Sequence, residues 1–314
     1  MLSFVLSTIG ALIAFAINTL DTVVYYLLRY TKGLNWTVHD LREVYKNTKQ
    51  FSVEVDEPYD PKTETKPRRD MEYSKELKYT PIEGVNTMKE FFQYCVKKSK
   101  NLPCLGHRPA LRKFNEKRDG MDWEVIEFDT LVYESYEKIN SRINNFACGL
   151  TRLTGLNSKD IFGIYEDTRK EWLMGLHACF TYNIVVMTVY ASLGDDALCS
   201  AINETELSAM LVNEKNLTKL LNIITPQCPT LKYLIYNQGI AMTDAEKQKT
   251  RDAIKGLTER GIKVASFEEV EQLGEADIKS NNRIPIKEEP TLESLALIMY
   301  TSGTTAAPKG VMSM

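Results

Sequence analysis

The stretch that decides the fold is Leu295-Ala-Leu-Ile-Met-Tyr300, followed directly by Thr301-Ser-Gly-Thr-Thr-Ala-Ala-Pro-Lys-Gly310. The first six residues are apolar, and a run of this length predicts a buried strand. The next ten contain hydroxyl side chains, a glycine and a lysine: Thr301, Ser302, Gly303, Thr304, Thr305 and Lys309. Hydroxyl donors, backbone N–H groups near glycine and one ammonium group are what a chain needs to hold a polyphosphate. The sequence therefore predicts a phosphate-binding loop that hangs from the end of a strand.

This loop does not follow the Walker pattern of other phosphate-binding loops. The spacing from Gly303 to Lys309 is wrong for that pattern, and Gly310 follows the lysine where a Ser or Thr is required. A surface turn rich in Ser and Thr is the alternative without a function.

Strands and helices alternate in the sequence that precedes the loop. Apolar runs predict strands at residues 161–165, 184–189, 209–213, 231–236, 262–266 and 295–300. Amphipathic segments predict helices between these strands. One helix begins after a cap at Asp167 or Thr168. Others are predicted at residues 195–203, 214–224 and 245–260. This alternation predicts an α/β fold with right-handed crossovers and a mostly parallel sheet covered by helices. Ligands bind beyond the carboxyl ends of such strands, which is where residues 301–310 fall.

Three further elements are predicted before residue 160. Residues 88–98 form a helix and residues 123–128 a strand. Residues 129–155 form a long helix, because apolar residues recur three and four positions apart and Gly155 fits the position after its end.

The first 28 residues differ from the rest of the chain. Leu2 to Leu28 contains no Lys or Arg and one acid, Asp21, and Arg29 and Lys32 follow it. About 20 such residues can span a bilayer, and the basic residues after them place the remainder in the cytosol. The sequence thus predicts a membrane anchor helix at 1–28, on the endoplasmic reticulum or another organelle. A signal peptide and a buried helix are the alternatives.

Residues 29–80 are predicted to be a polar linker, because charged residues and prolines dominate the later part and few aliphatic residues are available for burial. The folded domain is predicted at residues 81–314. The formal net charge of −3 gives no indication of a nucleic-acid surface. The six cysteines are scattered, which argues against a zinc site or a disulfide framework.

Four other residues attract attention without a clear role. His107 and His177 each stand alone, and His177 lies among apolar residues, which favours a structural histidine over a base. Glu166 and Asp167 form a carboxylate pair, but adjacent acids at a helix start more often serve capping and the helix dipole.

The phosphate loop resembles that of the adenylate-forming, acyl-activating enzymes, whose usual form is Tyr-Thr-Ser-Gly-Thr-Thr-Gly-x-Pro-Lys-Gly. The sequence departs from this form at Ala306, where the family places glycine and where alanine is strained if the position needs a positive φ. Upstream stretches are similar to eukaryotic long-chain fatty acyl-CoA synthetases: residues 103–108, residues 162–172, and residues 190–194 followed by 201–206.

The resemblance implies an enzyme that activates a long-chain fatty acid with ATP through an acyl-adenylate and transfers it to CoA. It implies that the ATP phosphates are held by Thr301, Ser302, Gly303, Thr304, Thr305, Lys309 and Gly310. It further implies that Lys309 stabilises charge during catalysis and that Thr301 helps to hold Mg²⁺.

The family's remaining catalytic motifs lie beyond this loop. We therefore expect the chain to be the amino-terminal part of such a ligase, inactive by itself. The alternative is a non-catalytic membrane-anchored relative that serves as a scaffold or regulator, with its loop disabled by Ala306.

Overall fold

The computed structural model describes residues 52–80, 82–190, 194–240, 242–301 and 309–314. The chain divides into two units, one ending at residue 81 and the other running from Ile82 to Met314. The predicted anchor at residues 1–28 lies outside the described residues. Across the described ranges, no helix is both long and apolar enough to span a bilayer.

The described part of the first unit holds a small ladder. Strands β1 (Ser52–Glu54) and β2 (Arg68–Asp70) pair antiparallel within the stretch predicted to be a polar linker. The guanidinium of Arg68 donates hydrogen bonds to the backbone oxygen of Ser52 and to the Glu54 carboxylate, which holds the two strands together.

The second unit contains the helices and most of the strands. Its helices are α1 (Met88–Ser99), α2 (Tyr136–Thr154), α3 (Lys170–Thr181), α4 (Gly194–Glu204), α5 (Leu217–Gln227), α6 (Asp244–Glu259) and α7 (Phe267–Lys279). Its strands are β3 (Pro103–His107), β4 (Ala110–Arg118), β5 (Met121–Phe128), β6 (Val132–Ser135), β7 (Ile161–Tyr165), β8 (Val185–Thr188), β9 (Ala209–Asn213), β10 (Tyr233–Asn237), β11 (Lys263–Ser266), β12 (Leu297–Thr301) and β13 (Lys309–Ser313).

Seven of these strands form one sheet in the order β11-β10-β9-β7-β8-β12-β13. All neighbouring strands are parallel except β13, which runs antiparallel to β12. The predicted mostly parallel sheet is therefore confirmed. The remaining strands of this unit form two separate antiparallel ladders, β3 with β6 and β4 with β5.

Helices cover both faces of the sheet. Alternate residues of each strand point to opposite sides, so they pack against different helices. In β9, Ala209 and Leu211 pack among residues of α2, α3 and α7, whereas Met210 and Val212 pack among residues of α4, α5 and α6. The buried residues that pack on both faces are mainly apolar. Helix α3 follows β7 on one face of the sheet, and α5 follows the neighbouring strand β9 on the other face. The topological switch point of the sheet therefore lies between β7 and β9.

Several helix starts differ from the sequence prediction. The helix predicted at 129–155 begins only at Tyr136, because Val132–Ser135 pairs with β3 as a strand. Its end is confirmed: Gly155 adopts φ 78° at the C-cap. The predicted cap of α3 by Asp167 or Thr168 is wrong, since its N-cap is Arg169 and no side chain caps it. Residues 214–216 form a 3₁₀ turn before α5.

Helices α2 and α7 cross at two facing glycines, Gly149 and Gly274. A Cβ atom built on Gly149 would lie 1.9 Å from the backbone oxygen of Val270, and one built on Gly274 would lie 1.8 Å from that of Asn145. Real Cβ atoms do not approach backbone oxygens this closely. The two helix backbones are therefore in direct contact, with no room for a side chain at either position.

His177 lies on α3 and is half-buried against Phe92 of α1, in agreement with a structural role. Its ring packs on that of Phe92 at 4.5 Å between centroids and meets Phe180 edge-on. Within the described residues its Nδ1 atom has no hydrogen-bond partner. Burial lowers the pKa of His177 to about 4, so the ring is neutral at pH 7.

We expect His177 to make the protein less stable in mild acid. The unfolded chain binds a proton near the ordinary pKa of about 6.5, but the folded chain does so only near pH 4. Protonation of His177 should thus not affect the free energy of unfolding above pH 7. As the pH is lowered from 6.5 to 4, this protonation should reduce the free energy of unfolding by up to about 1.4 kcal/mol per pH unit. Urea denaturation at pH 7, 6 and 5 measures this. In His177→Phe the slope should decrease by that amount, and equal slopes in both proteins would contradict the assignment.

Candidate functional site

The predicted phosphate loop joins strands β12 and β13 at the edge of the sheet where the parallel strands end, the carboxyl edge. Thr301 is the last residue of β12 and Lys309 the first of β13, and the two are directly opposite each other in the ladder. Tyr300 is likewise opposite Gly310. The four residues form a paired stem, and both ends of the predicted loop are therefore fixed at one point of the sheet.

The structure describes three of the seven predicted phosphate-binding residues: Thr301, Lys309 and Gly310. The others, Ser302, Gly303, Thr304 and Thr305, lie outside the described residues, as does Ala306. Thr301 and Lys309 are both exposed. In the described ranges no carboxylate pairs with the Lys309 ammonium group, which leaves its charge available to an anion. The roles of these residues remain predictions.

The predicted contact of Thr301 with Mg²⁺ can be compared with the groups around it. The described residues contain no cluster of three His, Cys, Asp or Glu side chains that could hold a metal ion. Mg²⁺ needs few protein ligands when substrate phosphates supply its other oxygens. The exposed Thr301 hydroxyl fits an ion that arrives together with ATP.

A half-buried carboxylate joins the ends of three neighbouring strands at the carboxyl edge. Glu166 follows β7 and accepts hydrogen bonds from the side-chain amides of Asn213 in β9, at 2.7 Å, and Asn237 in β10, at 2.6 Å. The backbone N–H of Asp167 donates a third bond at 2.8 Å. Burial raises the pKa of Glu166 above its usual range, although the donated bonds oppose this shift.

This cluster differs from the role predicted for the carboxylate pair. Glu166 neither caps α3 nor lies in its first turn, where the acid is Glu171. Asp167 forms an ion pair with Lys215. Glu166 instead closes the crevice between β7 and β9, the place where a ligand would enter many sheets of this type. Sequence reasoning missed the two asparagines, although a polar residue at the end of a buried strand was a usable signal.

We expect Glu166→Ala to lower the free energy of unfolding by about 2–4 kcal/mol, because two buried amides would lose their acceptor. Glu166→Gln is the matched control. Its Oε1 can accept from Asn213 and its amide can donate to Asn237 after that side chain turns over, so the loss should stay below about 1 kcal/mol. Guanidinium denaturation of both variants measures the difference. Similar losses in the two variants would show that the hydrogen bonds do not carry the stability.

A cleft of about 470 Å³ lies beside this cluster, between the β4–β5 ladder and the amino-terminal part of α6. Lys113 of β4 spans it, with its ammonium group 2.7 Å from both Glu124 and Glu246. Two hydrogen bonds to these carboxylates raise the pKa of Lys113 above its usual value. The cleft is lined by four carboxylates and three lysines. The carboxylates are Glu124, Asp167, Glu214 and Glu246, and the lysines are Lys113, Lys215 and Lys249. Because acidic groups outnumber basic ones, the cleft does not suit a polyphosphate. The stem of the loop is the better candidate for the phosphate site.

Comparisons with known proteins identify the family. The family model "AMP-binding enzyme" matches residues 114–313. Long chain acyl-CoA synthetase 8 of Arabidopsis thaliana is 36% identical over 240 residues, which cover 76% of this chain and 31% of the plant protein. Long-chain-fatty-acid–CoA ligase 3 of Saccharomyces cerevisiae is 29% identical over 272 residues, 79% of this chain and 38% of the yeast protein. The chain spans about a third of the length of these relatives.

Solved structures show the same fold. The adenylation domain of a carboxylic acid reductase from Segniliparus rugosus, in complex with AMP and a co-purified carboxylic acid, matches 74% of this chain and 36% of its own length. The TM-score is 0.59 at 18% identity, so the likeness concerns the fold alone. The family model covers well over half of the chain, including the phosphate-loop stem, and the chain therefore belongs to the AMP-binding enzyme family.

Proposed function

We propose that the protein is a long-chain fatty acid–CoA ligase and that this chain contributes the site for the ATP phosphates. In this reaction the fatty acid carboxylate attacks the α-phosphorus of ATP, and pyrophosphate leaves. The thiol of CoA then attacks the acyl carbon of the acyl-adenylate, and AMP leaves. The proposal is supported by the similarity to long-chain acyl-CoA synthetases of a plant and a yeast.

The observation that carries the proposal is the paired stem at the carboxyl edge. Thr301 and Lys309 face each other across the ladder, so the hydroxyl and the ammonium group belong to one site although eight residue positions separate them in sequence. Phosphoryl transfer depends mainly on positioning and on stabilisation of charge. A stem that fixes both ends of a hydroxyl-rich loop meets the first requirement, and Lys309 meets the second.

Each of the loop's residues has a distinct part in this proposal. The Lys309 ammonium group binds the β- and γ-phosphates and stabilises the charge that develops on the leaving pyrophosphate. The hydroxyls of Ser302, Thr304 and Thr305 and the backbone near Gly303 orient the same phosphates. Thr301 offers its hydroxyl to the Mg²⁺ that accompanies ATP. The Mg²⁺ would neutralise phosphate charge.

Exchange of radiolabelled pyrophosphate into ATP, measured on the full-length protein, tests the proposal. A saturated fatty acid of sixteen carbons should support exchange, whereas acetate should not. Formation of the acyl-CoA should require CoA in addition. Exchange that is equal with acetate and the long-chain acid would contradict the substrate class. A protein that binds MgATP but shows no exchange with any acid would favour a non-catalytic relative.

A further inference from the structure

Tyr300 is the last inward-facing residue of β12 and is almost completely buried, with 2% of its surface exposed. Its hydroxyl donates a hydrogen bond to Oε2 of Glu204, the last residue of α4, at 2.5 Å. A buried hydroxyl without an acceptor is costly, and a bond to a carboxylate is stronger than one between neutral groups. The Glu204 carboxylate is thus what satisfies the phenol in its buried position.

The proton of this bond stays on the phenol. Burial raises the pKa of Tyr300 above its ordinary value, and the hydrogen bond to Glu204 and its negative charge raise it further. Tyr300 therefore remains the donor of this hydrogen bond at neutral pH. The contact is a fixed connection between a helix and the strand that leads into the phosphate loop.

The ring of Tyr300 touches both arms of the stem. It is one residue before Thr301 in the chain, and it lies opposite Gly310 in the ladder. A Cβ atom on Gly310 would lie 3.3 Å from Cζ of Tyr300, so the ring packs directly against the Gly310 backbone. The ring is therefore in contact with the strand that precedes the loop and with the strand that follows it.

We propose that Glu204 is a positioning residue for the stem of the phosphate loop, Tyr300–Thr301 and Lys309–Gly310, which it holds in place through the hydroxyl of Tyr300. Glu204 does not touch the phosphates in this arrangement. It fixes the ring, the ring fixes both arms of the stem, and the stem sets where Thr301 and Lys309 point. The link to ATP rests on the proposed function, whereas the link between Glu204 and the stem does not.

Amide hydrogen exchange in peptides that cover β12 and β13 tests the inference on the ligand-free protein. In Glu204→Ala the phenol loses its acceptor, and exchange in the stem should become faster by roughly tenfold or more. Glu204→Gln retains a carbonyl oxygen at the same place and should restore slow exchange to within a few-fold of the original. In a Tyr300→Phe background, Glu204→Ala should have almost no further effect.

Glu259→Ala is the matched control, because Glu259 is also an exposed carboxylate at the last position of a helix, α6. Its one ion pair is with Lys255 on the same helix, among the described residues. This variant should leave exchange in the stem unchanged. An equal effect of Glu204→Ala with and without the phenol would overturn the inference, as would unchanged exchange in Glu204→Ala.

Addition of MgATP separates this inference from the proposed function. In the unaltered protein MgATP should slow exchange in the stem, and Glu204→Ala should need a roughly tenfold higher MgATP concentration for the same protection. Absence of protection in the unaltered protein would contradict the proposed phosphate site, and the ligand-free measurements would still decide on Glu204. Protection at equal MgATP concentrations in both proteins would contradict a positioning role toward the nucleotide.

Discussion

Lys309→Ala is expected to lower the rate of ATP–pyrophosphate exchange by a factor of about 10²–10³, the usual effect of removing one group that stabilises developing charge. Lys309 is the one charged residue between Thr301 and Gly310, and no described carboxylate neutralises it. Its removal would take away the one charged side chain that the proposed loop offers to the leaving pyrophosphate. The rate is measured at saturating fatty acid, over a range of MgATP concentrations.

The matched control is Lys98→Ala. Lys98 is an exposed lysine on α1 whose ammonium group lies 5.7 Å from the centre of the Tyr94 ring. It belongs to no motif, and its removal should leave exchange within about twofold of the original rate. Lys309→Arg keeps the charge but changes its geometry, so it should fall between the other two. Equal rates in Lys309→Ala and Lys98→Ala would refute the assignment of the loop.

Gly149→Ala should strongly destabilise the protein, with a loss of about 3–5 kcal/mol in the free energy of unfolding. The added methyl group would overlap the backbone oxygen of Val270, which lies 1.9 Å from the position of its Cβ. A backbone atom cannot turn aside as a side chain can. Helix α7 would have to move away from α2, which would open the apolar contacts around Phe146 and Phe267.

Gly256→Ala is the control for this effect, because Gly256 also lies within a helix. A Cβ atom there would approach only the flexible side chain of Leu221, at 3.0 Å. The gain in helix propensity of about 1 kcal/mol should offset that contact, so the variant should be close to neutral. Guanidinium denaturation of both variants gives the comparison. A Gly149→Ala protein as stable as Gly256→Ala would mean that the helices can separate at little cost.

The sequence was most informative where a strand is buried on both faces. The predicted bounds of β7 and β9 agree with the structure to the residue, because continuous apolar runs flanked by polar residues leave little choice. The helix α7 was missed although it begins with a capping box, in which Ser266 and Glu269 exchange hydrogen bonds with each other's backbone. This signal was present in the sequence and was not used.

Other features depend on contacts that no local pattern contains. Val132–Ser135 looks like the start of a helix and becomes a strand only because β3 lies beside it. The acceptor role of Glu166 requires Asn213 and Asn237 to reach the same edge, which follows from the parallel register of three strands. The bond between Tyr300 and Glu204 likewise joins residues 96 positions apart. Such pairs become visible only when the topology is known.

The pairing of β8 with β12 has a consequence for how the protein is made. Leu297 pairs with Val186, so more than a hundred residues must leave the ribosome before β8 obtains its second neighbour. Until then one edge of a fully buried strand, Val185–Thr188, is open to any other extended chain. Strands β9, β10 and β11 can assemble on β7 during this interval. Among the described strands, β12 and β13, which form the stem of the predicted phosphate loop, are thus the last to join the sheet during synthesis, and the edge of β8 stays open until they do.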